Sequence, residues 1–420
     1  MAGTRLIPRS ARRAVVAALT DTRVVLISGA RQTGKSTLAM SIARDEHPAD
    51  YVTLDDDAQR AAAQADPRGF LARRPGPIVI DEIQRAPELL LAIKMAVDFD
   101  NTPGRFLLTG SANMLTAPRV MDSLAGRIEI ATLWPLSQCE LEGVEEGFVD
   151  ALLDGAPPRV RGSEVDFHAL AARLARGGFP EVALREDQDR RRSWFESYVR
   201  ALVERDIRDL ADVRRSGEIA RLLQLIATRV GNILQPAGIA RDLALARPTV
   251  ESYIALLETL YVIRRLPAWG PGLAARAVRA PKAYVVDSGL LAYLLNADPE
   301  RLVDDVRMSG MVLESFVAME VLRQIERSKV RVFLHHFRDK DDREVDLVLE
   351  SARGEVAGIE VKASATVRPR DFRGLERLRQ LAGDRFTCGV ILYVGEHTHR
   401  FGEGLWAVPV SGLWAPTARS

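Results

Sequence analysis

Eight residues near the N-terminus, Gly29-Ala30-Arg31-Gln32-Thr33-Gly34-Lys35-Ser36, follow the spacing G-x-x-x-x-G-K-[ST] of a phosphate-binding loop. The chemistry needs those residue types. Glycines let the backbone curl so that successive N–H groups point at phosphate oxygens, and the following helix turns its positive N-terminal end to the same anion. Lys35 reaches the β- and γ-phosphates of a nucleoside triphosphate such as ATP, and the Ser36 hydroxyl is a ligand for Mg²⁺. The binding set on this reading runs from Gly29 through Thr37.

A second element fits the first. Ile78-Val79-Ile80-Asp81-Glu82 is an apolar strand ending in two carboxylates, the Walker B pattern. Asp81 is placed to hold the Mg²⁺, directly or through water, and Glu82 to polarise an attacking water. A third strand, Phe106-Leu107-Leu108-Thr109, runs into Gly110-Ser111-Ala112-Asn113. A polar side chain at such a strand end can touch the γ-phosphate or the attacking water. Thr109 and Ser111 both qualify, and either can instead cap the next helix.

Far downstream, Asp346 is followed after thirteen residues by Glu360-Val361-Lys362, the D…E-x-K order of metal-dependent nucleases. Two acids on adjacent strands can share a divalent cation, and Lys362 shares a strand face with Glu360 because side chains repeat every two residues. Glu314 on the preceding helix completes a candidate ligand set for a second divalent metal. A domain that binds DNA without cutting it, or that only scaffolds, carries the same residues. The pair His335-His336 at a strand end reads as solvent-facing, and Cys388 as a core residue.

These groups need a frame to hold them. At 420 residues the chain exceeds what one core supports. Residues 1–140 alternate apolar runs (Val24 to Ser28, Tyr51 to Leu54, Ile78 to Ile80, Phe106 to Thr109) with helical patterns, as a parallel α/β sheet does. Residues 141–275 are expected to be helical, beginning with a Gly- and Pro-rich linker from Gly143 to Ser163. Within them Ile239 to Leu243, a turn at Ala244 to Arg247, Pro248 to Leu260 and Val262 to Leu266 suggest a winged helix. The second helix carries Glu251 and Glu258 and no basic residue after Arg247, so packing between domains explains it as well as DNA does. Residues 276–420 return to strands and form a second α/β domain.

Composition excludes some classes. The 58 basic and 57 acidic residues leave a net charge of +1, so no polyanion partner is announced by bulk charge. Two cysteines, Cys139 and Cys388, build neither a disulfide framework nor a zinc site, which points to a reducing cytoplasm. No apolar run reaches the ~18 residues a membrane span needs. The basic leader with Arg5, Arg9, Arg12 and Arg13 reads as a helix entering the first strand.

Taken together, the chain resembles a family of prokaryotic AAA-superfamily ATPases whose C-terminal half is a domain of unknown function with a restriction-endonuclease-like core. The resemblance rests on the phosphate loop, Asp81-Glu82-Ile83-Gln84-Arg85, Leu108-Thr109-Gly110-Ser111, Leu124-Ala125-Gly126-Arg127, Gly177-Gly178-Phe179-Pro180-Glu181, Glu204-Arg205-Asp206, Pro281-Lys282, Glu344-Val345-Asp346 and Glu360-Val361-Lys362. It implies ATP and Mg²⁺ as cofactors and a homo-oligomer, often a ring. In such a ring Arg127 would be the finger that touches a neighbour's γ-phosphate; a surface arginine or an internal ion pair explains Arg127 equally. The expected activity is DNA-directed ATP hydrolysis; the alternative is a nucleotide-driven switch acting on a protein partner, with an inert nuclease-like domain.

Overall fold

The computed structural model describes residues 6–110, 124–163, 165–206, 216–272 and 279–415. They divide into two compact units, one comprising residues 1–136 with 259–261, the other 137–258 with 262–420.

The first unit is built on a five-stranded sheet: β1 (Val24–Ser28), β2 (Asp50–Thr53), β3 (Ile78–Asp81), β4 (Phe106–Gly110) and β5 (Ile128–Thr132), in the order β2-β3-β4-β1-β5. All its neighbouring strands pair in parallel. Strand side chains alternate between faces, and both faces here are covered. Val24 and Leu26 enter one core with Ile80, Leu108 and Ile93; Val25 and Ile27 enter the other with Leu38, Ile42 and Val79. This is why β1 reads as an unbroken apolar run. Each such side chain contributes roughly 1.5–3 kcal/mol by leaving water. The basic leader forms the helix Ala11–Leu19, with Val15 and Leu19 inward. Arg12 pairs outward with Asp45 and Glu46.

The second unit departs from the expected linker. Within Gly143–Ser163 the chain forms the helix Phe148–Leu153, whose Phe148, Val149 and Leu152 are buried. The Phe148 N–H donates to Gln324 Oε1 (3.0 Å), and the Cys388 thiol to Leu152 O (3.3 Å). Apolar residues between the glycines and prolines tie the segment to the C-terminal sheet. Two consecutive helices occupy the stretch where the winged helix was expected. Pro236–Leu243 ends on left-handed Ala244 (φ +55°), and Arg247–Thr259 follows. Strand β6 (Ile263–Leu266) then pairs antiparallel with β7 (Lys282–Val285).

The C-terminal sheet holds β8 (Val332–Arg338), β9 (Glu344–Ser351), β10 (Val356–Lys362), β11 (Phe386–Tyr393), β12 (His399–Gly402) and β13 (Leu405–Pro409), in the order β12-β13-β11-β10-β9-β8. Pairing is mixed: β10, β11 and β13 run parallel, while β8–β9, β9–β10 and β12–β13 are antiparallel. The long helix Val306–Ile325 is buried over most of its length.

One expectation is overturned here. His335 and His336 are both buried, because a register shift between His335 and Phe337 breaks the alternation that would have turned one outward. His336 Nε2 lies 3.2 Å from Ala280 O, and burial pushes its pKa down to about 4, so the ring is neutral at pH 7.

Candidate functional site

The phosphate loop begins where β1 stops. Gly29 has φ +152°, and a Cβ there would stand 2.3 Å from Leu133 O, so only glycine fits. Gln32 (φ +65°) and Gly34 (φ +90°) are left-handed, and Gly34 caps the helix Lys35–Asp45. Thr33 is buried, with its hydroxyl on Ala30 O (2.9 Å). Arg31 and Ser36 are half-buried; Gln32 and Thr37 are exposed. Lys35 is buried, and its Nζ donates to Gly29 O (3.1 Å) and Ala30 O (2.8 Å). The ammonium therefore folds back on neutral carbonyls of its own loop. Phosphate oxygens are stronger acceptors, since charge-assisted hydrogen bonds are about twice as strong as neutral ones.

Sequence reasoning missed the brace on this loop. Arg9 donates through Nη1 to Thr33 O and through Nη2 to Trp134 O, each at 2.6 Å. It lay among the leader arginines with nothing local to mark it.

The register of the sheet brings the other groups alongside. Ser28 lies beside Gly110 and Ile27 beside Thr109, while Ile80 lies beside Leu108. The phosphate loop, Thr109 and Asp81 thus sit at the carboxyl ends of three adjacent parallel strands, the usual ligand-binding edge of such sheets. Asp81 is buried and takes two hydroxyls: Thr109 Oγ1 donates to Oδ1 (2.5 Å) and Thr53 Oγ1 to Oδ2 (3.3 Å). The Glu82 N–H donates to Thr109 Oγ1 (3.1 Å), and Gln84 Nε2 donates to Glu82 Oε2. Glu82 itself is left-handed (φ +58°), a conformation that costs a non-glycine residue free energy and recurs at functional sites. A buried carboxylate held by hydroxyls, beside a lysine on exchangeable carbonyls, fits a nucleoside triphosphate and its Mg²⁺. Thr109 is thereby in contact with both acids; Ser111 lies outside the described residues.

Arg127 precedes β5 and makes an ion pair with Asp98 on the helix Leu89–Phe99, Nε to Oδ1 at 2.5 Å.

The C-terminal acids are also drawn together, around a residue to which the sequence assigned no role. Lys282 Nζ lies 3.0 Å from Glu314 Oε1, 2.6 Å from Glu344 Oε1 and 3.2 Å from Asp346 Oδ1, and the side chain is 1% exposed. The Tyr284 hydroxyl donates to Glu314 Oε1 (2.8 Å). Asp346 Oδ2 accepts the Val361 N–H (2.9 Å), and Lys362 Nζ donates to Glu360 Oε1 (2.9 Å). Burial opposes the charge on Lys282, but Tyr284, Asp346, Glu314 and Glu344 outweigh it and hold its pKa well above the lysine range. Burial, with Asp346 adding to it, pushes Glu314 up to about 7 and Glu360 well above the carboxylate range. Among the described residues no group of three or more His, Cys, Asp or Glu is arranged to hold a metal ion. Removing one partner of such a buried set costs about 3–5 kcal/mol. The sequence signals were the Pro281-Lys282 motif of the resemblance and a lysine opening the otherwise apolar strand Lys-Ala-Tyr-Val.

The motif Gly177-Gly178 has its own explanation. Buried Asp287 accepts the N–H groups of Gly178 (2.7 Å) and Leu290 (2.9 Å), and a Cβ on Gly177 would stand 2.3 Å from Asp287 Oδ1.

Sheet and loop define an AAA-type P-loop ATPase fold. In agreement, residues 21–142 match the family model described as an AAA domain. Residues 168–301 and 309–413 match two models described as domains of unknown function, DUF8612 and DUF4143. Uncharacterized protein Rv2008c of Mycobacterium tuberculosis is 30% identical over 392 residues, covering 93% of this chain and 80% of that protein; Mb2031c of Mycobacterium bovis matches to the same extent. Uncharacterized protein MJ1544 of Methanocaldococcus jannaschii is 20% identical, over 90% of this chain and 84% of its own length. The chain belongs to the family of these mycobacterial proteins. Among solved structures, the Thermotoga maritima RuvB Holliday junction branch migration motor is 19% identical over 62% of this chain and 90% of its own, with a TM-score of 0.29. At that score the likeness carries no inference about function. No helix among the described residues is long and apolar enough to cross a membrane.

Proposed function

We propose that this protein binds ATP with Mg²⁺ and hydrolyses it. The observation that carries the reading is the placement of Asp81, Thr109 and the phosphate loop on three adjacent strand ends, with Glu82 turned left-handed beside them. Lys35 and the loop from Gly29 to Thr37 hold the triphosphate, Ser36 and Asp81 hold the metal, and Glu82 directs the attacking water. Thr109 fixes Asp81 and the Glu82 backbone in mutual register. In a homo-oligomer, Arg127 serves as the finger only after leaving Asp98.

The output of the cycle has two readings. A DNA partner rests on the helix-turn-helix and on the restriction-endonuclease-like reading of the C-terminal sheet. A nucleotide-driven switch on a protein partner draws support from charge pairing. On the second helix Arg247 is tied to Glu251 (2.8 Å), and Arg265 on β6 to Glu258 (2.6 Å). Base reading uses unpaired Arg, Lys, Asn or Gln on that face. The face instead exposes Ser252 and Ala255 beside the paired Arg247 and Glu251, which favours the switch. ATP turnover measured with and without single-stranded, duplex and four-way DNA decides. Stimulation by any of them establishes the DNA reading, and an unchanged rate with all three removes it.

A further inference from the structure

We infer that the Lys282 ammonium is the resident cation of the C-terminal carboxylate centre, so that the residues gathered there form an ion cluster already holding its cation and do not fit a divalent metal. This stands whichever partner the ATPase serves.

Three observations carry it. Lys282 Nζ lies within 2.6–3.2 Å of Glu314, Glu344 and Asp346, which come from a helix and from β9. It is therefore inside the space a metal would have to share with the same carboxylates, and a cation is repelled from a site already holding one. Next, several of the other acceptors are committed, while Glu360 Oε2 is buried without a hydrogen-bond partner. Asp346 Oδ2 is taken by the Val361 N–H, Glu314 Oε1 also receives the Tyr284 hydroxyl, and Glu360 Oε1 is paired with Lys362. Finally, the lysine side chain is 1% exposed and its backbone is fixed in β7 opposite Leu266, while Glu344, at 31%, is the most exposed of its three partners.

β7 thus delivers the ammonium from the β6–β7 hairpin into the C-terminal sheet, and joins the two electrostatically. A nuclease-like reaction in this domain would first require the lysine to withdraw.

The test is Mn²⁺ binding to the nucleotide-free full chain, followed by calorimetry and by the shift in Tm. The wild type and Asp346→Asn are expected to give the same Mn²⁺ isotherm, because the centre takes no metal. Lys282→Met, which keeps the length and removes the charge, is expected to gain one site per chain, at least tenfold tighter than any other. It should also gain a Mn²⁺-dependent rise in Tm that the wild type lacks. Lys282→Met combined with Asp346→Asn should lose both. A stoichiometric Mn²⁺ site in the wild type that Asp346→Asn abolishes would overturn the proposal. So would a folded Lys282→Met protein that gains no site. If Lys282→Met does not fold, the comparison of wild type with Asp346→Asn decides by itself.

Discussion

Two buried acidic centres in this chain are compensated by different means. Asp81 is held by the hydroxyls of Thr53 and Thr109, which orient a carboxylate without cancelling its charge. Glu314, Glu344 and Asp346 close on the ammonium of Lys282, which cancels charge and fills the space. A hydroxyl-held acid remains a ligand for a cation arriving from outside; a lysine-held set has its cation built in. The same residue types thus give an open site in one unit and a closed one in the other.

The comparison breaks most readily at the open site. Lys35→Ala should weaken ATP binding by about 100-fold, since two charge-assisted hydrogen bonds at about 1.5 kcal/mol each are lost. Calorimetric titration with ATP–Mg²⁺ checks it, and an affinity within threefold of wild type would remove Lys35 from the site.

Thr109→Val should lower ATP turnover about tenfold, the equivalent of ~1.4 kcal/mol. It strips Asp81 of one hydroxyl and leaves the Glu82 N–H without its acceptor. Thr109→Ser should restore most of the rate, because it returns the hydroxyl; equal rates for valine and serine would refute the role.

The closed site is sharpened by pH. Glu314 is pushed up to about 7 from an unfolded value near 4.5, so the folded state binds its proton more tightly. Its contribution to stability is full below pH 4.5, declines between about 4.5 and 7, and is flat above. Across that window the decline is up to ~3 kcal/mol. Glu314→Gln should therefore be more destabilising, relative to wild type, at pH 5 than at pH 8 in urea unfolding. Equal differences at the two pH values would contradict the assignment.

The smallest effect belongs to Arg127. Its half-exposed pair with Asp98 contributes under about 1 kcal/mol, so Arg127→Ala should leave the stability of the chain nearly unchanged. If it acts in trans, the variant binds ATP, turns it over slowly, and regains activity when mixed with Lys35→Ala subunits. A mixture that regains nothing under subunit exchange argues against the finger.

The two centres also differed in how much of them could be seen in the sequence. The phosphate loop is contiguous, and Asp81 and Thr109 close apolar runs that read as buried strands, so the meeting of these residues at one sheet edge was legible. The brace by Arg9 was not, being formed 24 and 125 residues away along the chain. In the closed site Glu314, Asp346, Glu360 and Lys362 were legible as an ordered motif. Lys282 was visible in the Pro281-Lys282 motif, but its place among the acids was hidden because it lies 64 residues before Asp346 and on a strand of a different sheet. Periodicity failed in two places for local reasons. The bulge after His335 breaks alternation, and β12 is exposed on all four residues, so no apolar pattern marks it.

The central claim, that the open site hydrolyses ATP through Glu82, is tested most directly by phosphate release from purified Glu82→Gln beside wild type, with ATP binding measured in parallel. The account predicts affinity within about threefold of wild type and turnover lower by about 10²–10⁴-fold, the range for loss of a positioned acid–base group. Wild-type turnover in Glu82→Gln would contradict it.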